Sequence, residues 1–81
     1  MSLKLYQDVA LTRDVPEYDL KAGDIATLVD FVPHPTGSED GCILEVFNAI
    51  GETIAVLTVP KSAVKGLRSD EILTVRSLEK I

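Results

Sequence analysis

A chain of 81 residues, 46% of them hydrophobic, has room for one folded domain with one modest core; it excludes a second domain and a disordered polar tail. A net charge of −5 argues against a nucleic-acid partner, which needs cations to neutralise phosphates. No charged start precedes an apolar run as in a signal peptide, no apolar run approaches the ~20 residues of a membrane span, and the single Cys42 cannot close an internal disulfide, so a cytoplasmic protein without a membrane partner is expected.

Tryptophan is absent and the aromatics are Tyr6, Tyr18, Phe31 and Phe47, so the core is expected to be aliphatic. The charge is uneven. Residues 1–59 carry Lys4, Arg13 and Lys21 against ten acids, a balance of −7. Residues 60–81 carry five cations against Asp70, Glu71 and Glu79, a balance of +2.

Short β-type runs alternate with turn clusters, which predicts an all-β domain. The first run is YQDVALTR, residues 6–13. Pro16 ends regular pairing, and the irregular stretch DVPEYDLKAG follows, with Gly23 placed for a turn and Asp24 able to bond local backbone. The second run is IATLVDFV, residues 25–32. PHPTGSEDG, residues 33–41, reads as a loop. CILEVF, residues 42–47, and TIAVLTV, residues 53–59, are joined by NAIGE and read as a β-hairpin with Gly51 at its turn. PKSAVKG suits a 3-10 turn opened by Pro60. The last predicted strand is EILTVRS, residues 71–77, and residues 1–4 and 78–81 are expected to fray. Together these elements describe a single domain over residues 1–81. It is a small five-stranded SH3-like barrel with a long first loop, a hairpin and a short 3-10 turn before the last strand. An OB-type barrel is the alternative, but it usually places a helix where only the hairpin turn fits.

Two resemblances follow from these segments. VALTRD, LKAGDI and VPKSAVKGL resemble the first strand, the Gly-Asp turn and the closing segment of SH3 domains, over about residues 9–67. Ala10, Leu11, Leu20, Gly23, Asp24, Pro60, Val64 and Leu67 match that scaffold. The aromatic positions that would line a proline-peptide groove do not match. Thr12, Asp14 and Ala63 stand where SH3 domains have tyrosines, and the paired tryptophans are missing. Over about residues 5–76 the chain also resembles a family of small bacterial proteins, domain of unknown function 4926. The early ValAlaLeu strand, the LysAlaGlyAsp turn, the GluAspGly loop and ValPheAsn carry that resemblance. It implies a stand-alone bacterial domain similar to SH3-like barrels and supplies no residue roles.

His34, Ser38 and Asp40 share one polar loop, whereas a catalytic triad needs groups converging from different elements. His34, Glu39, Asp40 and Cys42 lack the four Cys or His ligands of a structural zinc site. Cys42 opens an apolar run and reads as a small core residue. No phosphate-cradling glycine pattern occurs. The chain is therefore expected not to be an enzyme, and to have no catalytic residue, no metal ligand and no cofactor. Strand alternation places Ile43, Glu45 and Phe47 on one face of the third run, and groups Ile54, Val56 and Thr58 on a face of the fourth that has the same partly apolar character. These six residues are the candidate interface. The expected role is an interaction module that binds a protein partner or forms a homo-oligomer through a sheet face or an edge strand. The alternative is an accessory subunit or small enzyme using the 33–42 loop.

Overall fold

The computed structural model describes residues 3–78. Five strands are present: β1 (Asp8–Leu11), β2 (Ile25–Val32), β3 (Gly41–Phe47), β4 (Thr53–Pro60) and β5 (Val64–Gly66). Two 3-10 turns, Pro16–Tyr18 and Lys61–Ala63, are the helical elements among the described residues. No helix among them is long and apolar enough to cross a membrane.

The strands form one antiparallel sheet in the order β4-β3-β2-β1-β5. β4 and β5 lie at opposite ends of that order, yet only the three residues Lys61–Ala63 separate them in the chain. So short a link forces the sheet to curl until its ends approach, which is the geometry of a small barrel. The turn is fastened on both sides. Thr12 N–H donates to the Ala63 carbonyl (2.8 Å), the Thr12 hydroxyl donates to the Ser62 carbonyl (2.8 Å), and Lys61 N–H donates to the Asp40 carbonyl (2.9 Å).

The inside of the curl is aliphatic. Leu28 and Leu44 are cross-strand partners and both are fully buried, with Val9, Leu11 and Cys42 beside them. Ala10 is buried as well as its neighbours Val9 and Leu11, so β1 is covered on both faces. Leu20 reaches in from the first loop. That loop is stapled at its neck, where Leu11 N–H donates to the Asp24 carbonyl and Gly23 N–H to the Leu11 carbonyl.

The β3–β4 hairpin turn is organised by Asn48, whose carboxamide oxygen accepts from Ile50 N–H (3.1 Å) and Glu52 N–H (2.9 Å). Gly51 completes it at φ +88°, with open space where a Cβ would stand. Gly51→Ala therefore meets no clash, and its cost is the left-handed backbone alone. The expected loss is about 1 kcal/mol, read as a lower urea midpoint with an unchanged slope.

Two features depart from the sequence expectation. Residues 71–77, expected as the last strand, form no strand; the strand that pairs with β1 on its far side is Val64–Gly66. Local β-propensity in EILTVRS finds no place beside β1, which has β2 on one side and β5 on the other. The first strand is also shorter than residues 6–13, since Tyr6 takes a positive φ of 65° and Thr12 turns away to bond Ser62. Of the ends expected to fray, residues 1–2 and 79–81 lie outside the described residues, and Leu3 packs against the core.

Candidate interaction surface

The outer face of the sheet is built by pairing. β3 buries Cys42, Leu44 and Val46, so Ile43, Glu45 and Phe47 point away from the core. β4 buries Leu57 and Val59, so Ile54, Val56 and Thr58 point the same way. The register sets Ile43 opposite Thr58 and Glu45 opposite Val56. A bulge then sets Phe47 opposite Thr53, with Ile54 as the extra residue. All six residues picked from the sequence thus share one surface.

That surface is apolar with an acid at its centre. Val56 is 55% exposed, and Phe47 and Ile54 are each 42% exposed. Glu45 is half-buried between them, and its carboxylate accepts the Thr53 hydroxyl at 2.6 Å. The row continues across the sheet from Val56 through Glu45 and Thr27 to Asp8. The Thr27 hydroxyl donates to the Asp8 carboxylate at 3.0 Å.

Val32 belongs to the same surface, and sequence alternation misses it. A register shift between Leu28 and Asp30 changes the phase of β2, turning Phe31 toward the core and Val32 outward. Val32 is opposite Gly41, where an added Cβ would meet Thr58 Cγ2 at 3.2 Å and Val32 Cβ at 3.6 Å. The glycine thus lets Val32 and Thr58 close over the backbone of β3. Nothing in IATLVDFV marks the bulge except the acid inside an apolar run.

The loop at residues 33–40 is exposed throughout, and its polar groups serve local structure. His34 Nδ1 accepts from Thr36 N–H (3.2 Å) and lies 2.8 Å from the Thr36 hydroxyl. The Glu39 carboxylate accepts from Ser62 N–H (2.8 Å) and from the Ser62 hydroxyl (3.1 Å), which also receives Arg13 Nη2 (2.7 Å). Glu39 and Arg13 thereby clamp the turn between β4 and β5. Burial pushes the Cys42 thiol above its usual range, with nearby Lys61 opposing. No cluster of His, Cys, Asp or Glu among the described residues is arranged to hold a metal. A shallow open depression lies under the first loop between Asp14, Leu20 and Arg76, and another between Leu3, Lys61 and Arg68. Neither is lined by His34, Ser38 or Asp40.

Three cations of the C-terminal segment, Lys65, Arg68 and Arg76, face acids of the same chain. Arg68 pairs with Asp70 at 2.7 Å and Lys65 with Glu71 at 3.2 Å. Arg76 forks onto the Asp24 carboxylate, with Nε at 2.7 Å from Oδ1, and also reaches the Asp19 carbonyl at 2.9 Å.

The family model for a domain of unknown function, DUF4926, matches residues 5–65. The chain belongs to the DUF4926 family. The matched segment runs from just before β1 into β5, so it takes in the six surface residues and the Gly-Asp turn at Gly23 and Asp24. The part of the chain from residue 66 onward, with Arg68 and Arg76, lies beyond the DUF4926 match. No curated protein and no solved structure matches the chain.

Proposed function

We propose that this DUF4926 chain is a non-catalytic interaction module that binds protein, either a partner or its own copy, through the outer face of β3 and β4. One observation carries the reading: Val32, Phe47, Ile54 and Val56 are all more than 40% exposed and lie on one continuous face. Scattered exposed hydrophobes are ordinary, but a contiguous apolar group on so small a domain marks a contact surface. Asp8, Asp30, Glu45 and Glu52 stand on and around it, which favours a partner whose own contact is apolar with a cationic rim. A reducing compartment, the cytoplasm, suits a chain whose single thiol is buried and unpaired.

Val56→Asp tests this at little cost to folding, since the side chain is 55% exposed on an edge strand. The wild-type chain is expected to self-associate in a light-scattering concentration series, or to retain a protein in affinity capture. Val56→Asp should weaken whichever association is found by about tenfold or more, an effect expected for a charge placed in a desolvated contact. A strictly monomeric wild type that captures nothing, or a variant that binds as the wild type does, would overturn the reading.

A further inference from the structure

Two features lack a counterpart among the described residues. The first is the open edge of the sheet. β4 is eight residues long, pairs with β3 alone, and reads TIAVLTVP without a single charge. Exposed edges are ordinarily protected by lysine, proline or shortness. The opposite edge, β5, is only three residues long, whereas β4 has no more protection than Pro60 at its end and a bulge at its start.

The second is the segment that strand propensity picks out and the sheet does not use. Residues 71–77, EILTVRS, form no strand, and no backbone hydrogen bond among the described residues involves Ile72, Leu73, Thr74 or Val75. Ile72 is 88%, Leu73 58% and Val75 90% exposed. Yet the segment is held at both ends. Glu71 caps the preceding turn by accepting from Arg68 N–H at 2.6 Å, and Arg76 is fixed on Asp24 and Asp19. An apolar, β-prone stretch is thereby displayed on the surface between two anchors.

We infer that residues 71–77 of one copy add as a sixth strand to the open β4 edge of a second copy. The proposal rests on the reading of β3 and β4 as the contact surface, and names its occupant. Strand addition satisfies backbone groups on both sides, while alternate side chains set the register. The register that lays Leu73 and Val75 beside Ile54 and Val56 extends the outer apolar face by one strand. The chain itself supplies this occupant: residues 71–77 are an exposed, apolar, β-prone stretch outside the sheet, and their two charges, Glu71 and Arg76, cancel. The strands themselves add no opposed like charges, because β4 and residues 72–75 are uncharged. Reciprocal donation closes a two-fold dimer and leaves neither β4 edge open.

The experiment compares wild type, Leu73→Pro and Val56→Asp by light scattering over a concentration series. Circular dichroism and melting temperature confirm that each is folded. Proline removes a strand donor from a segment outside the barrel, so Leu73→Pro should stay folded and melt lower only by the stabilisation that association gives the wild type. The expected result is a wild-type dimer and at least a tenfold rise in dissociation constant for both variants. A peptide of residues 69–78 added to the Leu73→Pro chain should shift the β4 amides in an NMR titration. A dimer that survives Leu73→Pro but dissociates in Val56→Asp would overturn strand donation and leave the sheet-face reading standing. A wild type that stays monomeric at millimolar concentration would overturn strand donation as well. The capture arm alone would then decide the sheet-face reading.

Discussion

Leu28→Ala is expected to cost about 3–4 kcal/mol, the largest single effect among the substitutions considered. Leu28 is fully buried in β2, and its cross-strand partner Leu44 is fully buried too. The alanine leaves a cavity that Leu44, Val9 and Cys42 cannot fill, because each is held by its own strand pairing. A domain of this size has a total stability of roughly 4–12 kcal/mol, so the variant falls to the margin of folding. In urea the midpoint should drop by about 2 M or more with the slope preserved. Val75→Ala serves as the control: with the side chain 90% exposed, the change in a folded monomer should be within about 0.5 kcal/mol. A shift for Leu28→Ala as small as that of the control would mean that the sheet does not close over β2.

The second large effect is acid sensitivity through Asp24. Its carboxylate takes the Arg76 fork and Lys21 N–H (2.8 Å), and the side chain is only 17% exposed. The Arg76 hydrogen bond holds this carboxyl below its ordinary range; partial burial opposes it, and the Lys21 amide assists. Because the folded value lies below the unfolded one, the contribution is complete above about pH 5. It erodes as the pH drops through about 4, and is gone once the pH passes below the folded value. Asp24→Asn keeps an acceptor for Lys21 but loses the charge for Arg76. Its expected cost at pH 7 is about 1–2 kcal/mol, the range of a charge-assisted pair partly screened by solvent. The gap between wild type and variant should close in urea titrations as the pH is lowered from 5 to 2. A constant gap would assign the loss to geometry rather than to charge.

Much of the architecture is legible locally. β2 was expected at residues 25–32 and occupies Ile25–Val32, and β3 and β4 differ from expectation by one residue each. Their β-branched runs and turn clusters carry the information within a few neighbours. β5 does not work that way. VKG has neither length nor alternation, and it is a strand because the Lys61–Ala63 turn delivers it to β1. Residues 71–77 show the converse, a strong local preference that goes unused because both sides of β1 are taken by β2 and β5. At the candidate surface, alternation groups Ile43, Glu45 and Phe47 within β3 and Ile54, Val56 and Thr58 within β4, and it takes the register of the hairpin to set the two groups on one face. Alternation misses Val32 because a bulge resets the phase of β2, and a bulge depends on the partner strand as much as on its own residues.

Cys42 gives the protein an internal clock. Its sulfur is sealed in the middle of the sheet, on a strand flanked by β2 and β4, and its thiol is further from ionisation than usual. A soluble disulfide reagent reaches it only in molecules that have parted β3 from a neighbour, and no second thiol contributes to the signal. The rate of colour release in buffer, with no denaturant present, therefore counts how often the barrel opens.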